Sequence, residues 1–183
     1  MEELLNKIDE YEEKLKLMRK YFKQIKAPSE IFSSYLLLVQ QTPEEMWEDY
    51  FNFRALPIPK FTWGEEPFFH ALSERHEFQV GIVKMAPNHF YRWHKDSERK
   101  VSVNMLLSKR DKDYCLFKDH DLINGPVVEL PYAPKTMYLF NTQQEHCVYN
   151  GEGDRFLLTI EFDGDETYLS LLEELEDRFW LTP

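Results

Sequence analysis

Cysteine is scarce, long apolar runs are missing and basic residues are outnumbered, and each shortage excludes something. Two cysteines in 183 residues, Cys115 and Cys147, are too few for a disulfide scaffold, so reduced thiols at small core or surface positions are expected. No stretch approaches the roughly 20 consecutive apolar residues that a membrane-spanning helix needs. The first residues, Met1-Glu2-Glu3-Leu4-Leu5-Asn6-Lys7, have neither the basic start nor the apolar centre of a signal peptide. A soluble, cytoplasmic protein with no membrane partner is the expectation. Lys and Arg number 22 against 33 Asp and Glu, a net charge of -11. That balance argues against a nucleic-acid partner, because phosphate binding draws most of its affinity from basic side chains. Much of the acid lies in residues 163–183, where Asp163, Asp165, Glu166, Glu173, Glu174, Glu176 and Asp177 face one base, Arg178. A solvated helix face accounts for it.

The apolar content, 43% with 15% aromatic, is enough for a substantial core, and no Gly/Ser linker or low-complexity tract divides the chain. Residues 2–26 place Leu4, Ile8, Tyr11, Leu15, Met18, Phe22 and Ile25 at alternating four-three spacing, which predicts one long helix with a coiled-coil seam. The seam fits a homodimer contact or packing against the rest of the chain. Ser29 can cap a second helix running to about Gln41, and Thr42-Pro43-Glu44-Glu45 reads as a capping box opening a third, with Met46, Trp47, Tyr50 and Phe51 on it. Residues 55–60, Ala-Leu-Pro-Ile-Pro-Lys, form a short extended link.

From residue 76 the period becomes alternating. Strands are expected at 76–85, 89–94, 101–107, 114–118, 127–130, 136–140, 145–149 and 155–162, with a polar hairpin at 108–113 and turns at 124–126, 131–134, 141–142 and 150–154. A closing helix is expected from Glu166 to Trp180. The fold class is therefore mostly β with flanking helices, a jelly-roll kind of sandwich or barrel. The division expected is a helical N-terminal extension over 1–60, packed on a core of 61–183 in a single domain overall.

Chemistry concentrates in Tyr91-Arg92-Trp93-His94-Lys95-Asp96 and in Gln144-Glu145-His146-Cys147-Val148. His94 and Asp96 share a parity, and His146 supplies a second imidazole. Two histidines and a carboxylate are the facial set that leaves positions open on a non-haem Fe(II). Arg155 starts an otherwise apolar strand, and its guanidinium, which cannot shed its charge, needs an anion. Asn104, polar inside an apolar strand, is a candidate second donor. Arg92 shares the parity of His94, whereas Tyr91 and Trp93 have the other parity and read as core. His70, His76, His89 and His120 have no comparable spacing.

The order His94-Lys-Asp96, then His146, then Arg155 resembles the Fe(II)/2-oxoglutarate-dependent dioxygenases over residues 76–163. The resemblance implies a double-stranded β-helix core, Fe(II) on His94, Asp96 and His146, and 2-oxoglutarate and O2 as cosubstrates. It also implies that the distal carboxylate of 2-oxoglutarate sits on Arg155 and that C–H hydroxylation releases succinate and CO2; Arg92, by its parity with His94, is expected to reach the cosubstrate or an acidic group of the substrate. The family often carries Ser or Thr two residues after the arginine, where this chain has Leu157, so another group must help. Phe140-Asn141-Thr142, Asn150 and Arg155 look more like the prolyl and aspartyl/asparaginyl hydroxylase branches. The nucleic-acid demethylases carry a second arginine six residues after the first, where this chain has Glu161. An amino-acid or protein side chain is thus the implied substrate. Two other readings stay open here: a cupin-like metal-binding protein without 2-oxoglutarate, and a non-catalytic oligomeric interaction module.

Overall fold

The computed structural model describes residues 2–25, 28–108, 113–118 and 125–177. The helical pattern of residues 2–26 divides in two. Helix α1 spans Glu2–Arg19, and strand β1 follows at Phe22–Ile25. The helix does not continue because the carbonyls just past its end are taken: Asn141 donates its backbone N–H to Tyr21 O at 2.8 Å and its side-chain amide to Lys20 O at 2.9 Å. Tyr168 donates its hydroxyl to Arg19 O at 2.6 Å. Helix α2 covers Ser29–Gln41, with Pro28 rather than Ser29 at the cap position.

The third expected helix is not formed. The Thr42 hydroxyl turns back to Leu38 O at 2.7 Å, and Arg54 captures Glu44 O at 2.8 Å and Trp47 O at 2.6 Å. These carbonyls are then unavailable for a continuing helix. A single 3-10 turn at Glu44–Met46 leads instead into the hairpin β2 (Glu48–Tyr50) and β3 (Phe53–Ile58). Two short helices follow, α3 (Lys60–Trp63) and α4 (Pro67–Ser73), the latter capped by the Glu66 carboxylate, which accepts from Phe68 N and Phe69 N.

The eight expected strands are present: β4 (Phe78–Met85), β5 (His89–His94), β6 (Ser102–Leu106), β7 (Tyr114–Lys118), β8 (Val127–Glu129), β9 (Met137–Phe140), β10 (Glu145–Asn150) and β11 (Arg155–Phe162). Helix α5 (Tyr168–Asp177) is the last described element. Residues 109–112 of the expected hairpin, His120, Asn124 and the last residues of the expected closing helix, Arg178, Phe179 and Trp180, lie outside the described residues. The eight strands divide four and four between two antiparallel sheets, with β7 and β8 adjacent in the smaller one. One has the order β1-β9-β6-β11-β4-β3-β2 and the other β5-β10-β7-β8, which is the double-stranded β-helix. Because β1, β2 and β3 extend the large sheet at both edges, the sheet runs across residue 60, where the helical extension was expected to end.

Residue parity sorts the large sheet's two faces. Val103, Met105, Leu139, Leu158 and Ile160 pack with Ile31, Tyr35, Phe69 and Leu171 of the helices. Leu106, Tyr138, Phe140 and Leu157 face the small sheet and meet Cys115, Phe117 and Val148. His76 ties α5 to the approach to β4, its two ring nitrogens contacting Glu166 Oε1 at 3.0 Å and Glu174 Oε2 at 2.9 Å.

Candidate metal centre

The second cluster, between the sheets, ends at a small group of ligand-type side chains. His94 is the last residue of β5 and lies directly opposite His146 on β10. Asp96 follows in a bend whose backbone is fastened to the turn preceding β10: Asp96 N donates to Thr142 O at 3.1 Å, and Gln143 Nε2 donates to Asp96 O at 3.0 Å and Arg99 O at 2.8 Å. One turn therefore positions residues from both halves of the motif. One ligand atom each from His94, Asp96 and His146 lies within 4.8 Å of the others, the one such group of three among the described residues. The imidazole rings are 4.3 Å apart at their centroids. Each Nδ1 is occupied by a backbone carbonyl, Arg92 O at 2.6 Å for His94 and Gln144 O at 2.9 Å for His146, which directs each Nε2 to the common point. His94 Nε2 is 3.3 Å from Asp96 Oδ1, close enough for attraction but not aligned as a hydrogen bond, and it is buried without a hydrogen-bond partner among the described residues. A buried nitrogen lone pair aimed at a carboxylate and a second imidazole suits a metal ion.

Charge is arranged to keep the carboxylate ionised. Burial would raise the Asp96 pKa, but His94 and the Arg99 guanidinium outweigh it and hold the carboxyl below its ordinary value. Arg99 grips Asp96 Oδ2 from Nε at 2.9 Å and Nη2 at 2.7 Å, leaving Oδ1 toward the histidines. For His94, burial pulls the pKa down, while the Asp96 carboxylate and the Arg92 carbonyl more than reverse this, so it is raised. His146 packs between Phe117 and Phe140, and burial pushes its pKa down to about 4.

Arg155 lies on the same inner face and is buried. It donates from Nε to Asp113 Oδ2 at 3.3 Å and stands 5.5 Å from the Tyr132 ring. Asn104, on β6, is also buried. It donates to Ser102 Oγ at 3.1 Å, and its own Oδ1 has no partner among the described residues. Directly opposite on β11 is Thr159, whose buried hydroxyl likewise lacks one.

Several solved structures share this arrangement of strands. A prolyl-4-hydroxylase from Pseudomonas putida superposes with a TM-score of 0.58 at 15% identity, covering 77% of this chain and 91% of that one. HygX from Streptomyces hygroscopicus, with nickel, 2-oxoglutarate and hygromycin B bound, gives 0.57 at 12% identity, covering 82% and 86%. A Trichoplax adhaerens prolyl hydroxylase, in complex with a hypoxia inducible factor peptide fragment, gives 0.56 at 15%, covering 82% and 86%. The chain has the fold of the 2OG-Fe(II) oxygenases. No protein-family model matches the sequence, and no curated relative matches it; the likeness is one of fold.

Within that oxygenase fold, His94, Asp96 and His146 come together as expected, and Arg155 and Asn104 share the interior. Arg92 does not. Between Tyr91↔Val148 and His94↔His146, β5 advances three residues while β10 advances two. The extra residue is a β-bulge, and it reverses parity within β5. Arg92 is consequently exposed, and Tyr91, expected in the core, turns its ring onto His94 at 4.2 Å. Trp93 faces outward under Lys118. Three residues were missed from sequence: Arg99, Thr159 and Asp113. A base three residues after Asp96 was the available signal for Arg99, and shared parity with Arg155 was the signal for Thr159. Asp113 carried none, because its partner is 42 residues away.

Proposed function

We propose that the chain is an Fe(II)- and 2-oxoglutarate-dependent dioxygenase that hydroxylates an unactivated C–H bond of an amino-acid or protein side chain. The observation that carries this is the convergence of His94, Asp96 and His146 with a buried, unpartnered imidazole nitrogen at the centre. When bound there, iron with 2-oxoglutarate and O2 supplies the oxidation: substrate C–H becomes C–OH as 2-oxoglutarate becomes succinate and CO2. The chain's own residues do the rest. The carbonyls of Arg92 and Gln144 hold the two rings in one tautomer and orientation, and Arg99 keeps Asp96 anionic and presents one oxygen. Arg155 is the cation for the distal carboxylate, and Asn104 and Thr159, on the same inner face, have unused hydrogen-bonding capacity. Phe117 and Phe140 wall the site from water. Residues of this kind fix geometry and exclude solvent, while the metal carries the oxidation.

The peptide-bound prolyl hydroxylase among the similar structures supports a polypeptide substrate, and the acidic charge disfavours nucleic acid. Full-length protein with Fe(II) and 2-oxoglutarate, kept free of oxygen, should develop the metal-to-ligand charge-transfer colour of a chelated keto acid. Iron bound with no colour would instead favour a cupin-like protein that does not use 2-oxoglutarate, a reading to which the Arg155–Asp113 pair lends weight.

Metal affinity should depend on pH with a definite sign. His94 must be unprotonated to ligate, and its pKa is raised, so the metal must displace a proton that is bound more firmly than usual. Affinity should fall by about tenfold per pH unit below the raised pKa of His94. His146, pushed down to about 4, remains unprotonated until much lower pH. Titration with Zn(II) at pH 8 and pH 6 checks this, and equal affinities at the two values would contradict it.

A homodimer through the N-terminal helix is also proposed. Ile8 and Leu15 of the expected seam are each 45% exposed, whereas Leu17 and Met18 pack on the inner cluster. Deleting residues 2–15, which leaves β1 in place, should lower the solution mass without removing iron. A full-length protein already monomeric at high concentration would end the idea.

A further inference from the structure

We propose that Asp113 is an internal competitor for Arg155, which sets how tightly this site can hold the distal carboxylate of a keto acid. The inference rests on the 2-oxoglutarate reading above and concerns the affinity of that site. Arg155 is 4% exposed and Asp113 7%, and they meet at 3.3 Å through Nε and Oδ2. Among the described residues, the other side chains at this pair are neutral. Burial raises the Tyr132 hydroxyl and pushes the Cys115 thiol up to about 12, and Asn104 and Thr159 carry no ionisable group. Asp113 and Arg155 are therefore the charged pair of this cluster among the described residues.

A guanidinium buried this deeply stays charged and needs an anion when no ligand is present. Asp113 supplies it, and the consequence follows from Coulomb's law. A carboxylate arriving at Arg155 finds its attraction partly spent and meets a second carboxylate a few ångströms away in a poorly solvated interior, where like charges repel strongly. Binding then requires Asp113 to withdraw or to share the guanidinium. Either way the affinity for a dicarboxylate is held down, while the metal-chelating end of the keto acid is unaffected. A site of this design responds to the concentration of its cosubstrate instead of remaining saturated.

The test uses the full chain loaded with Fe(II) without oxygen, titrated with 2-oxoglutarate and with pyruvate, which chelates but has no distal carboxylate. Charge-transfer absorbance is the readout. Asp113→Asn keeps the size and removes the charge. It should tighten 2-oxoglutarate at least about tenfold and leave pyruvate within about twofold. An unchanged or weakened 2-oxoglutarate affinity overturns the proposal. Unsubstituted protein gives a second measurement that does not depend on the variant folding. Its preference for 2-oxoglutarate over pyruvate should be below about thirtyfold, and a larger preference also overturns the proposal. Iron-loaded parent protein that gives no absorbance with either acid removes the oxygenase reading, and this inference falls with it. Failure of this inference alone looks different, because the parent then binds 2-oxoglutarate and Asp113→Asn binds it no better.

Discussion

His146→Ala should abolish stoichiometric metal binding, with apparent affinity falling by well over about a hundredfold. Losing even a group that supports a ligand typically costs about 10- to 100-fold, and His146 is one of three converging side chains among the described residues. The expected loss is large because the remaining pair cannot make a facial set: His94 and Asp96 would present one nitrogen and one oxygen from a single bend. Asp96→Asn should act similarly by a different route. It keeps the shape but removes the negative charge, and the Arg99 guanidinium, now without its anion at 2.7 Å, becomes an uncompensated cation beside the metal. His70→Ala is the control, since that side chain on α4 is well exposed and paired only loosely with Glu74 at 4.0 Å. Metal content by mass spectrometry under non-denaturing conditions, together with circular dichroism to establish folding, decides the matter. Folded His146→Ala retaining one tightly bound metal per chain would remove the assignment.

Arg155→Leu should have two separable effects. The first is on stability: breaking a buried ion pair by removing one partner costs about 3–5 kcal/mol, and Asp113 is left facing an apolar side chain. Adding Asp113→Asn should restore much of that loss, visible as recovery of the denaturant midpoint at unchanged slope. The second effect is on the cosubstrate, and the double variant should not recover it. A charge-assisted contact to a carboxylate in a partly dry site is worth about 2–5 kcal/mol, but Asp113 already offsets part of it, so the loss relative to the parent should be about five- to thirtyfold in affinity. The folded double variant should therefore bind iron and pyruvate as the parent does but require several-fold more 2-oxoglutarate. If its 2-oxoglutarate titration matches that of the parent, Arg155 serves the fold alone.

The strands of the core and the sequence positions of the metal-ligand candidates were legible from sequence because both depend on short-range regularities. Alternation of apolar residues such as Phe78, Val80 and Ile82 marks a face whatever the partner strand is, and His94-Lys95-Asp96 needs only a bend to converge. The N-terminal region was less legible. Phe22–Ile25 continues the periodicity of α1, but the open edge of β9 offers four residues of antiparallel pairing, and Asn141 takes the Lys20 and Tyr21 carbonyls that a longer helix would need. Glu48–Tyr50 likewise follows a helix-start signal but pairs with β3.

What the sequence by itself determined is the inventory: acidic charge, a jelly-roll set of strands, two histidines and an aspartate in the right order, and an arginine on a strand that otherwise reads as core. Tertiary structure decided which of these meet. The bulge in β5 sent Arg92 to solvent and brought Tyr91 onto His94, and strand pairing set Thr159 opposite Asn104. Packing gave Arg155 an anion from a residue 42 positions away. The reason is that parity is a local property only while pairing is regular. One extra residue in a strand reverses every side chain beyond it, and the cost or gain of that reversal depends on neighbours distant in the chain.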